Sequence, residues 1–122
     1  QGFLASFYGG IVEEVMMRLF LMTLIIWIGS RISKKRQHSR FIIWFAILFS
    51  SLMFGLAHLP TAIVLGVPLT PLYILRTLVL NSAGILYGWL YWKRGFASAM
   101  IAHFSTDLVV HVLGAAVVGW IQ

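Results

Sequence analysis

The sequence predicts an all-α fold, a polytopic bundle of about four membrane-spanning helices. Three observations lead there. Hydrophobic residues make up 61% of the 122 positions and charged ones only 10%, where soluble domains average about 25% charged, and mean hydropathy is +0.95. A soluble domain of this size buries too small a share of its surface to hide so much apolar area. Four apolar stretches, 7–30, 41–59, 71–92 and 96–121, each come near or exceed the ~20 residues that a bilayer requires. In lipid, backbone polar groups find partners only within their own segment, which makes each stretch a helix.

The first stretch follows Gln1, with no initiating Met and no charged leader ahead of it, so residues 1–122 read as a single core cut from a longer membrane protein. It ends at RISKKRQHSR, 31–40, the strongly polar run of the chain. The second stretch ends in LPTAIVLGVPLTP, 59–71, whose three prolines break helical continuity without adding charge. The third and fourth are parted by KRG, 93–95. Alternate crossing puts loops 31–40 and 93–95 on one face and loop 59–71 on the other. Seven of the nine Lys and Arg residues, Arg31, Lys34, Lys35, Arg36, Arg40, Lys93 and Arg94, fall on the first face. The positive-inside rule makes that face cytoplasmic. Trp27, Trp44, Tyr91 and Trp92 sit near the same boundary, as interfacial aromatics do.

The basic run is expected to meet anionic lipid headgroups along Arg31 to Arg40; in so apolar a chain it does not read as a nucleic-acid site. The lack of cysteine excludes disulfides, thiolate nucleophiles and Cys-type zinc sites. Residues 84–88, GILYG, form a small-xxx-small pattern suited to close helix approach. In the third stretch Arg76 lies near an end, where it can snorkel, and Asn81 is deeper and able to support a site.

The chain has three acids, Glu13, Glu14 and Asp107, and all three fall within apolar stretches. A charge at the bilayer centre costs ~2.5–3.5 kcal/mol on insertion scales, so these residues have a task inside the membrane. Neighbours on an α-helix point roughly 100° apart. Glu14 therefore faces Arg18 one turn on, while Glu13 has no polar partner on its own helix. Glu14 with Arg18 reads equally as a structural pair or as part of a site. Glu13 suits general-base work. His58 closes the second stretch, and His103, Asp107 and His111 follow at successive i+4 steps on one face of the fourth. His38, in the basic loop, reads as a solvated residue, and His111 as a polar partner of Asp107.

EEVMMR (13–18), FGLAH (54–58) and HFSTD (103–107) resemble the three signature motifs of the CPBP family of CAAX-processing and bacteriocin-processing intramembrane endopeptidases. The patterns are E-E-x-x-x-R, F-x-x-x-H and H-x-x-x-N/D, in that order on successive helices. The resemblance covers nearly the whole chain as the family's four-helix core. It implies a multi-pass protein of a bacterial cell membrane that cleaves membrane-anchored peptides without a cofactor. Glu13 with His58 would activate water, His103 with Asp107 would bind the oxyanion, and Arg18 would orient Glu14. Two points fit this scheme poorly. An ionised Asp107 would repel an oxyanion, and many family members carry Asn there. Counting ~1.5 Å per residue from the basic loops also places His103 more than a helical turn closer to the cytoplasm than Glu13 and His58.

Two other functions fit the same residues. His58, His103, Asp107 and Glu13 could ligate zinc as a metalloprotease, although no H-E-x-x-H pair supports it; sensitivity to chelators distinguishes that reading. The second is a non-catalytic membrane protein, such as a bacteriocin-immunity protein, a scaffold or a small transporter with acids as proton carriers. The effect of changing Glu13 alone distinguishes it.

Overall fold

The computed structural model describes residues 7–33 and 39–110. These are helical throughout except for short turns, with no strand among the described residues. The first apolar stretch is wound as π-helix over Gly9–Glu13 and Val15–Met22 and continues as α1, Thr23–Ser33. Helix α2 spans Arg40–Ala57, α3 Leu59–Val64, α4 Pro71–Asn81, α5 Ala83–Arg94 and α6 Phe96–Leu108.

Helix α2 is the centre of the bundle, packed against α1, the second π-helical segment, α4 and α5. Its buried residues, Ile43, Ala46, Ile47, Ser50, Ser51, Phe54 and Gly55, recur at the three- and four-residue steps of a single helical stripe. Ser39 caps its start by accepting from the Phe41 amide at 3.2 Å. Helix α6 closes the bundle against α5 and the first π-helical segment. Gly95 makes the sharp α5–α6 turn at φ +89°, a left-handed conformation that glycine adopts without Cβ strain.

The glycines of 84–88 perform the packing expected of them. A Cβ on Gly88 would lie 3.1 Å from Ile47, and one on Gly84 would lie 3.2 Å from the Arg18 guanidinium. Met22, Ile43, Ala46 and Ile47 form the apolar core between α1, α2 and α5. At the end nearest the basic loops, Trp44 meets Trp92 edge-on at 6.4 Å. There too Lys93 lies over the Trp92 ring at 3.9 Å and Arg31 over Trp27 at 5.2 Å. Arg76 is exposed, as its snorkelling position requires.

Three expectations change. The third stretch is not one helix: it breaks at Ser82, between α4 and α5. Pro60 does not interrupt the chain but sits at the start of α3, where its missing N–H would have no helical partner anyway; the true break is 65–70. The entry helix is π-wound, and Thr23 marks the return to α winding, its hydroxyl donating to the Arg18 carbonyl at 3.1 Å. Among the described helices, only Arg40–Val64 is long and apolar enough by itself to cross a membrane, with mean hydropathy 2.0. Arg18 and the two glutamates interrupt the first stretch, the break at Ser82 divides the third, and the fourth continues beyond the described residues. Outward-facing apolar side chains nonetheless cover the bundle, among them Phe20, Phe41, Leu72 and Ile101.

Candidate active site

Arg18 is the structural centre of the polar interior. It is fully buried, as is Glu14. Its Nη1 donates to Ser50 Oγ on α2 at 3.0 Å and its Nη2 to the Gly84 carbonyl on α5 at 2.9 Å. Its Nε lies 3.3 Å from Glu14 Oε2. That last pair is within ion-pair distance but not aligned as a hydrogen bond, so it acts as charge against charge. One side chain therefore clips the entry helix to two others, and a Cβ on Gly84 would crowd the guanidinium at 3.2 Å. Removing one member of a buried pair strands the other charge, at about 3–5 kcal/mol. Arg18→Met is accordingly expected to lower thermal stability sharply in detergent and to deplete folded protein, and an unchanged melting transition would refute the clip.

All three acids of the chain converge on His103, which is itself 2% exposed. Its Nδ1 lies 3.0 Å from Glu14 Oε1. Its Nε2 lies 3.6 Å from Glu13 Oε2 and 3.5 Å from Asp107 Oδ2. Glu13 thus has no partner on its own helix, as expected, but it does have one across the bundle. Glu14 has a second partner that sequence spacing did not suggest. An i→i+5 helix turns each residue by less than the roughly 100° of an α-helix. Adjacent glutamates can then reach the same imidazole from two directions.

Phe54, the first residue of the F-x-x-x-H motif, lies perpendicular to both histidine rings, 5.0 Å from His58 and 5.3 Å from His103. His58 Nδ1 is 2.8 Å from the Phe54 carbonyl. A carbonyl only accepts, so Nδ1 carries the hydrogen and Nε2 of the neutral ring is left as an acceptor.

Glu13, His58, His103 and Asp107 line one cavity of about 520 Å³. Asn81 lines it too, at the break between α4 and α5, with its amide donating to the Thr77 carbonyl at 2.8 Å. Sequence reasoning missed Tyr87 and Thr106, which also line the cavity. The signal for Tyr87 was its place inside the small-residue pattern, which brings α5 close to its neighbours. His111 and most of the basic run, 34–38, lie outside the described residues. Among the described residues no group of three or more His, Asp or Glu side chains is arranged to hold a metal ion.

Comparison with curated proteins returned no match, and neither did comparison with solved structures. The family model for type II CAAX prenyl endopeptidases, Rce1-like, matches residues 1–109. That match contains Glu13, His58, His103 and Asp107, and it carries no indication of bacteriocin processing or of a metalloenzyme. Over almost its full length, then, the chain belongs to the Rce1-like family of type II CAAX prenyl endopeptidases.

Proposed function

We propose that this chain is the catalytic core of a glutamate-dependent intramembrane endopeptidase that cleaves membrane-anchored peptides. The observation that carries the reading is the convergence of Glu13, His58, His103 and Asp107 on one cavity. Glu13 is the base: its carboxylate is partly exposed to that cavity and takes a proton from water. The accepting Nε2 of His58 aligns the same water, which attacks the scissile carbonyl carbon. As the carbon becomes tetrahedral, negative charge collects on the oxygen. His103 Nε2–H then donates to that oxygen. Its distances to Glu13 and Asp107, 3.6 and 3.5 Å, are longer than a committed N–H···O bond, so the donor is available to substrate. The proton held by Glu13 finally passes to the leaving amine.

The scheme requires a hydrogen on each ring nitrogen of His103, Nδ1 facing Glu14 and Nε2 facing the oxyanion. It also requires a protonated Asp107, since only the neutral acid donates, while Glu13, which faces the same Nε2, remains the base. The zinc alternative predicts loss of activity with chelator, and the metal-free scheme predicts none.

The bundle as a whole is proposed to cross the membrane several times. Its exterior is apolar while Glu14, Arg18, Ser50 and His103 are buried, the arrangement lipid imposes on polar side chains. Loops 31–40 and 93–95 are then cytoplasmic. The chain has no cysteine, so single cysteines report on sidedness. Impermeant thiol reagents added to intact cells should label Leu65→Cys and spare Arg36→Cys, and the reverse pattern would invert the topology.

A further inference from the structure

We infer that Tyr87 is a positioning residue that holds the His103 imidazole in the plane from which it donates. The inference rests on the proposed role of His103 as an oxyanion donor and extends it to a residue outside the three motifs.

The Tyr87 ring lies nearly parallel to the His103 ring, with centroids 4.6 Å apart and 17° between planes. That is a favoured separation for stacked rings. Tyr87 is 2% exposed. Tyr87 thus joins α5 to α6 through its ring at His103.

The need for such a residue follows from the geometry of His103. The torsion that turns an imidazole is broad and weakly restrained. The contact from Nδ1 to Glu14 holds one edge of the ring but permits rotation about that contact, which would swing Nε2 away from the cavity. A parallel ring against one face blocks the swing. Phe54, perpendicular at 88°, bounds the imidazole from another direction. The position of Tyr87 is in turn set by Gly84 and Gly88, which let α5 approach Arg18 and Ile47. The small-residue pattern therefore brings an aromatic ring onto His103 as well as packing two helices.

The test uses the full chain in nanodiscs with two variants. Tyr87→Phe keeps the ring and loses the hydroxyl; Tyr87→Met keeps the bulk and loses the flat face. With Cε1-labelled histidine, the His103 signal, assigned by its loss in His103→Gln, should be displaced by the neighbouring ring in the parent and in Tyr87→Phe. It should move to an unstacked position in Tyr87→Met. In cleavage, Tyr87→Phe should stay close to the parent. Tyr87→Met should lose up to about 100-fold in kcat, the cost of displacing a reacting group by about an ångström, with KM little changed. Three results would overturn the inference: parental kcat in Tyr87→Met, an equal loss in both variants, or an unstacked His103 signal in the parent. If Tyr87→Met does not fold, the parent and Tyr87→Phe spectra still decide. If the parent cleaves nothing, the proposed reaction fails while the His103 signal judges Tyr87 by itself.

Discussion

Replacing Glu13 by Gln is expected to reduce cleavage to background while leaving the protein folded. The amide has nearly the shape of the carboxylate and can still approach His103 Nε2, which lies 3.6 Å from Oε2 in the parent. It cannot accept a proton from water. General-base contributions are about 10²–10⁴-fold, and with Glu14 fully buried and Asp107 engaged as a donor in the scheme, the loss should reach the upper part of that range. The measurement is cleavage of a panel of membrane-anchored peptides, prenylated and unprenylated, alongside a melting transition in detergent.

Glu14→Gln provides the contrast. Glu14 is fully buried between Arg18 and His103, so its neutralisation leaves the guanidinium without its charge partner and loosens the imidazole. Stability and activity should fall together there, whereas in Glu13→Gln activity alone should fall. A folded Glu13→Gln that still cleaves substantially would end the general-base role. A parent that cleaves nothing, yet loses its cellular phenotype when Glu13 alone is changed, would point to a proton-carrying or other non-catalytic use of the same cluster.

The second large effect is expected at Asp107, where two substitutions should behave in opposite ways. Asp107→Asn supplies a neutral donor at every pH, so most activity should remain and any alkaline decline caused by ionisation of Asp107 should vanish. Asp107→Ala removes the donor and should lose on the order of 10²–10³-fold in turnover, as deletion of one oxyanion-hole donor does. A protonated acid serving in this way at neutral pH has a precedent in ketosteroid isomerase. A zinc-ligating Asp107 reverses the order. Asn is a poor ligand for zinc, so both variants would be inactive and chelator would abolish activity in the parent. Rates for parent and variants across pH, with and without chelator, separate the two, and a folded but inactive Asp107→Asn would end the oxyanion role.

The all-helical class was legible in the sequence because apolar stretches near bilayer length leave the backbone no other partners. The site residues were legible because three acids placed in apolar helices, away from the loops, are too costly to be incidental. Their spacing on successive stretches also carried the family resemblance, which the match over residues 1–109 bears out. The pair of Glu14 with Arg18 could be read as well, since i and i+4 face one another on any single helix. Helical periodicity, however, describes one helix at a time. That Glu13 and Glu14 reach the imidazole whose i+4 neighbour is Asp107, that Phe54 lies against both histidines and that Tyr87 stacks on His103 depend on how far apart the helices stand and how each is rotated. Those quantities are set by contacts distant in sequence: the Arg18 clip to Ser50 and Gly84, the approach of Gly88 to Ile47 and the π winding of the entry helix. The sequence by itself determined which residues are chemically able to act. Tertiary structure decided which of them share one small cavity, because only packing between helices brings side chains from four of them within a few ångströms of one ring.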